Sequence, residues 1–361
     1  MMCPSTPRRC TRHSPHKFSR RRSLPLRIRK KKVWSAGSSS ACTSSAGKGA
    51  AVTALAHVPV PDGNFLAYAN LSGTIALLDP ATKLVRQEIN VAPDVAFSLH
   101  ADEAHVLLCG LASKYVVARD VPSLDTNATF GKLGPHTGWV RALATTENDA
   151  NRLVSCGCNF VKAWRGRGAN NASDDVRLFT GDVLALAPVG RNGDVIASGG
   201  ADGSVRTFRV DSKGPPLEIA AVERAHAGRV PALVGALNGE VVVSGGYDGA
   251  LQVRGTDRLE LIAIAEGAHE QKQVICLALK SNDEVWSGGA DGVVRRWKLP
   301  SLAPCGRVAA LGPAEDDDDV IAVRALLIHH GTTNSLGDDF RYVAAGYANG
   351  CVKVVDMDDE C

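Results

Sequence analysis

At 361 residues the chain is long enough for two or three ordinary domains, yet it holds 36 Gly against only 5 Trp, 5 Tyr and 8 Phe. The formal net charge of +3 hides a split: 13 of the 41 Lys and Arg precede the first acidic residue, Asp62, which leaves 28 against all 38 Asp and Glu. A body of net −10 with a basic head argues against a uniformly basic nucleic-acid binder, and no apolar run is long enough to span a membrane or act as a secretory leader.

Residues 1–25 are rich in Ser, Pro and Arg and are expected to be a disordered basic tail, with its densest charge at Arg20-Arg21-Arg22 and across 27–32. Three readings of it stay open: a nuclear-import or nucleic-acid patch, an organelle transit peptide, and a merely solvated segment. Residues 26–51 are expected to link the tail to the body of the chain.

From Val52 onward a short apolar signature recurs. It reads Val52-Thr53-Ala54-Leu55, then loosely Val95-Ala96-Phe97-Ser98-Leu99, then Val140-Arg141-Ala142-Leu143 and Val183-Leu184-Ala185-Leu186. It continues as Val230-Pro231-Ala232-Leu233, Val274-Ile275-Cys276-Leu277 and Val323-Arg324-Ala325-Leu326, seven copies in all. Three copies run on into Ser-Gly-Gly-x-Asp-Gly, at Ser198, Ser244 and Ser287, spaced 46 and 43 residues apart. That period fits one four-stranded sheet. Each signature is a buried strand without helical periodicity. A second strand leads to Asp-Gly, which reads as a two-residue hairpin loop needing positive φ. A third strand alternates, as in 293–297, and a less regular outer strand follows, clearest at 259–265. Such wedges bury their faces only by stacking, so the expected fold is all-β: a seven-bladed β-propeller of four-stranded antiparallel blades over residues 52–358.

The best copy holds His269, Ser287, Asp291 and Trp297. With these residues in place the chain resembles the WD-repeat propeller family, in which such a His, Ser, Asp and Trp form a hydrogen-bonded chain inside each blade. Chemically, each buried polar group of the four can satisfy the next. Partial copies are His226, Ser244 and Asp248, with Arg254 in the Trp place, and His136, Ser155 and Trp164, whose turn Cys158-Asn159-Phe160 is one residue short. Ser198 and Asp202 remain in another, with Phe208 in the Trp place. The last repeat supplies three strands, and members of the family commonly complete that blade with an N-terminal strand. Arg27–Ala36 is the favoured latch for its apolar content.

The resemblance further implies that residues at the start of each first strand face the narrower surface of the ring and touch partners. Those residues are Trp139, Arg141, Arg229, Gln273 and Arg324, together with Tyr247 before a turn Asp. Trp, Tyr and Arg are the side chains that anchor interfaces. The expected function is therefore a non-enzymatic scaffold that docks a protein partner within a larger complex. Two alternatives stay open: an RNA-associated or ribosome-assembly factor led by the basic tail, and a cullin-type ubiquitin-ligase receptor. The latter wants Trp-Asp-x-Arg where this chain has Trp164-Arg165-Gly166-Arg167.

No catalytic residue, cofactor or metal site is assigned. Cys156 and Cys158 lack two further ligands at suitable spacing. His329-His330 with Asp338-Asp339 reads as a solvated loop, and the acidic run 315–319 as a solvated linker. The turn aspartates fall on separate blades and do not converge. Ten cysteines without a secretory leader read as free thiols of a reducing compartment, cytoplasm or nucleus, with an organelle as the alternative.

Overall fold

The structure is a computed structural model. It describes residues 49–357 except 61–62, 103–104, 128–129, 147–151, 166–172, 178–180, 212–213, 309–310, 312–319 and 332–340. The expected latch at Arg27–Ala36 and the basic tail lie outside the described residues, as do Asp338, Asp339 and the acidic run 315–319.

Seven antiparallel sheets follow one another in chain order, each strand pairing with the next. They form blades 1 to 7, at residues 52–90, 96–133, 140–177, 183–222, 232–265, 274–307 and 323–356. Six have four strands; blade 7 has three among the described residues. No α-helix occurs among them, and no helix is long and apolar enough to cross a membrane.

Burial follows position in the blade. Second strands are buried along most or all of their length, and throughout at Val106–Leu111 and Val195–Gly200. The outer strand Ala303–Arg307 is fully exposed, and the outer strands Leu84–Asn90, Leu217–Val222 and Leu261–Ala265 mix exposed and half-buried residues. The apolar core is therefore divided into seven layers, each shared by two neighbouring blades. Val106, Leu108 and Leu133 of blade 2 meet Val140, Leu143 and Trp164 of blade 3. Val52, Leu66 and Tyr68 of blade 1 meet Ala325, Tyr342 and Val352 of blade 7 in the same manner. The first strand Val52–Val60 packs directly against Val323–His329, and across the same seam Gly49 N–H donates to Asn349 O at 3.2 Å.

A recurrent glycine sets the spacing of the wedges. A Cβ on Gly110, Gly199, Gly245, Gly288 or Gly346 would come within 2.8 Å of a side-chain carbon of the first valine of the next blade: Val140, Val230, Val274, Val323 and Val52 in turn. Close approach leaves no room for a methyl group there. Gly346 against Val52 repeats the contact across the closing seam.

The hairpin loops correct the sequence reading. They have three residues rather than two. Gly200 N–H donates to Ser204 O at 3.0 Å and Gly203 N–H to Gly200 O at 3.2 Å, and the same pairs recur at Gly246–Ala250 and Gly289–Val293. Gly203, Gly249 and Gly292 have φ of 82°, 79° and 74°, whereas the preceding Asp residues keep negative φ. The Asp carboxylate instead accepts the N–H two residues on, from Ser204, Ala250 and Val293 at 3.0–3.1 Å. This is a turn closed by a left-handed glycine, with Asp held by its own side chain. The short turn at Cys158-Asn159 is the exception: Gly157 pairs with Phe160 and Cys158 takes φ 55°.

His329 also departs from expectation. It is buried at the end of its strand, its ring stacked on His57 of blade 1 with centroids 3.7 Å apart. His57 Nδ1 lies 2.9 Å from the Tyr342 hydroxyl. Burial, and then the charge of His329, lower the pKa of His57 to about 3, so the seam holds a neutral imidazole.

Candidate interaction surface

The first strands enter their sheets with a register shift. It falls between Val52 and Ala54, Ala96 and Ser98, Val140 and Ala142, Val183 and Ala185, Val274 and Cys276, and Val323 and Ala325. A bulge leaves one residue out of the ladder and re-aims its side chain. The residues so released are Thr53, Phe97, Arg141, Leu184, Ile275 and Arg324. Blade 5 has Pro231 at this place, where no N–H is needed, and its strand begins at Ala232.

All seven of these side chains line one cavity of about 240 Å³ at the end of the central channel, joined by Ala51, Val52, Leu71, Arg229 and Tyr247. Every blade thus contributes to one mouth. Arg141, Arg229, Tyr247 and Arg324 are brought together there. Trp139 and Gln273 are not among the residues that line it; both are exposed two positions before the bulge residue of their blade. At that earlier position the backbone is engaged between neighbouring segments. Arg229 O accepts Tyr247 N–H at 2.9 Å and Gln273 O accepts Ala290 N–H at 2.9 Å.

Trp139 nevertheless joins the mouth through its neighbours. Its ring stacks on Phe97 at 5.0 Å, and the Arg141 guanidinium stands 4.7 Å from the centroid of each ring. Cation and rings hold one another in place. Trp139 still exposes 48% of its surface, large for an indole with no hydrogen-bond partner to seek inward. Burial lowers the pKa of Arg141, partly offset by Asp182 and added to by Arg229, and its Nε is buried without a partner among the described residues. Phe97 was missed in the sequence because its copy of the repeat is loose; alignment on Leu99 would have found it. The other apolar lining residues carry no chemical signal of their own.

The internal polar chains occur in graded form. In blade 6, His269 Nε2 and the Trp297 indole N–H both meet Ser287 Oγ at 2.8 Å, and His269 Nδ1 meets Asp291 at 2.8 Å. Arg295, absent from the sequence reading, also pairs with Asp291 and with Glu270. Burial opposes the Asp291 charge, but donors from His269 and Arg295 prevail and hold the carboxyl well below the usual range. Blade 5 keeps His226 against Ser244 at 2.8 Å and Asp248 at 3.0 Å, while Arg254 turns to Gln252 and the Leu259 carbonyl. In blade 3, His136 and Trp164 both reach Ser155 at 2.8 Å. No Asp follows, and His136 Nδ1 is buried without a partner among the described residues. Burial, then Lys162, lower the pKa of His136 to about 4.

These groups stand inside separate blades and form no common site. Among the described residues no three His, Cys, Asp or Glu are grouped to hold a metal. Cys109, Cys156 and Cys276 are free thiols whose pKa burial pushes up to about 12, which keeps them protonated. Arg165, which stands in the acidic place of the ligase-receptor pattern, is bound to Asp174 within its own blade.

The profile of the family described as "WD domain, G-beta repeat" matches residues 174–209. That span runs from the outer strand of blade 3 (Ser173–Arg177) through the first three strands of blade 4, ending at Arg209. No curated protein matches the chain.

Proposed function

We propose that this seven-bladed ring, whose fold and repeat match support the WD-repeat propeller family and its general role as a protein-interaction scaffold, docks a segment of a partner protein across its mouth. The observation that carries this reading is the convergence of one side chain from every blade on a single cavity, six released by a bulge and the seventh Pro231. Trp139, Arg141, Arg229, Tyr247, Gln273 and Arg324 are the proposed contacts, and Phe97 joins them by stacking on Trp139. Rigid blades present these groups already in place, so docking loses little ordering entropy. The proposal takes residues 52–358 as the docking ring, 26–51 as its latch and linker, and 1–25 as a basic tail. It includes no chemical step.

The test is a pair of substitutions, Trp139→Ala and Tyr247→Ala, in the full chain, with partners quantified by affinity purification and mass spectrometry. Loss of a defined subset of partners, with the thermal transition unchanged, supports the reading. An unchanged partner set with a folded ring removes this surface from consideration. The charge of the tail supports a second, separate activity: RNA binding that falls steeply with salt. Deleting residues 1–23 abolishes it in that reading, and retained binding contradicts it.

A further inference from the structure

The mouth differs in charge from the body that carries it. From Asp62 onward 28 Lys and Arg face 38 Asp and Glu, yet the twelve residues lining the mouth include three arginines and no carboxylate. Arg141, Arg229 and Arg324 come from blades 3, 5 and 7. Burial disfavours the Arg141 charge most; Asp182 favours it, and Arg229 stands close enough to disfavour it by a smaller amount. Neither Arg229 nor Arg324 forms an ion pair among the described residues, and the buried Nε of Arg141 has no acceptor among them. Guanidinium donors gathered in a recess whose lining holds no carboxylate favour an incoming oxyanion more than the same donors would in open water. Around the rim the cations are separated by Leu184, Pro231 and Ile275, with Phe97 on the other side of Arg141.

Resting on the docking reading, we infer that the mouth selects an extended acidic segment of a partner protein, in which carboxylates alternate with apolar residues. The carboxylates seat on Arg141, Arg229 and Arg324; the apolar residues rest on Phe97, Leu184 and Ile275. Alternating apolar and cationic positions suit spaced carboxylates better than one concentrated charge. A nucleic acid would have to cross an acidic body to reach the mouth.

The experiment uses the full chain and labelled eight-residue peptides read by fluorescence polarisation: alternating Glu and Leu, alternating Gln and Leu, and alternating phosphoserine and Leu, beside a single-stranded oligonucleotide. The Glu peptide is expected to bind about 10-fold more tightly than the Gln peptide at low salt, with the gap narrowing as salt rises. The R141Q/R229Q/R324Q variant should bind the two alike. If that variant loses its cooperative melt, Arg324→Gln alone, at an exposed position, should narrow the gap about threefold. Equal binding of both peptides by the unaltered chain overturns the inference, as does a gap that survives in the variants. Tenfold tighter binding of the phosphoserine peptide or the oligonucleotide than of the Glu peptide also overturns it. Equal peptide binding that Trp139→Ala weakens removes the charge selectivity and leaves the docking reading standing. Absence of peptide binding, together with a partner set untouched by Trp139→Ala and Tyr247→Ala, removes both.

Discussion

Blades 6 and 4 have the same strand order and nearly the same turn, but opposite interiors. Blade 6 holds a complete polar chain through His269, Ser287, Asp291 and Trp297. Blade 4 keeps Ser198 in the same register, yet its hydroxyl, like that of Thr207, is buried without a partner among the described residues. Phe208, fully buried, replaces the indole. It is nonetheless blade 4 that the family profile matches. Blade 4 is tied to its neighbour instead: Arg152 of blade 3 donates to the Asp211 and Gly214 carbonyls at 2.8 and 3.0 Å, while also pairing with Asp174. The contrast teaches that wedge packing between blades specifies the fold, and that the internal polar chain is an addition some blades do without.

The largest effect should be shared by both blades. Trp297→Ala and Phe208→Ala each empty an inter-blade layer and should each cost about 3–5 kcal/mol in urea unfolding. A cost confined to Trp297 would break the comparison in favour of the polar chain. Next comes Gly289→Ala, whose Cβ would lie 2.2 Å from His269 Nδ1 and 2.7 Å from the Asp291 carboxylate. Parting those groups should cost about 1–3 kcal/mol.

Ser287→Ala sharpens the contrast. It leaves the His269 and Trp297 nitrogens unpaired and should cost about 1–3 kcal/mol. Ser198→Ala removes a hydroxyl that has no partner among the described residues and should stay within about 0.5 kcal/mol of the unaltered chain.

The last effect concerns acid. His136 has no carboxylate partner among the described residues, and its folded pKa of about 4 lies below the ordinary 6.5. The unfolded chain therefore binds the proton first. The stabilising contribution is complete above pH 6.5 and is lost as pH falls from there towards 4, by at most about 1.4 kcal/mol per pH unit. His136→Phe, which copies the Phe179 found four residues before Val183, should reduce the slope of stability across that window, with His57 and His226 supplying the slope that remains.

Much of the ring is legible because repetition marks it. The seven signatures begin or immediately precede the seven first strands, and Arg141 and Arg324 stand at equivalent places in their repeats. Other features carry no repeat to read. Phe97 belongs to a loose copy, so its stack on Trp139 emerges only in three dimensions. The turn Asp resembles a positive-φ residue because Asp-Gly suits two loop types; the backbone N–H two residues on decides between them. His329 reads as solvated beside a polar run, but its partner, His57, lies 272 residues earlier in the chain. Arg229 and Tyr247 are legible as rim residues, whereas their convergence with arginines of two other blades requires the ring to be closed.

Closure is thus the premise of every contact at the mouth, since Thr53 and Arg324 come from the first and seventh blades. Hydrogen exchange followed by mass spectrometry, on peptides covering Val52–Val60 and Val323–His329, tests it most directly. Protection of both strands equal to that of Val183–Val189 in the middle of the ring is the predicted result. Exchange of the two seam strands well ahead of that reference would mean that blades 1 and 7 stand apart.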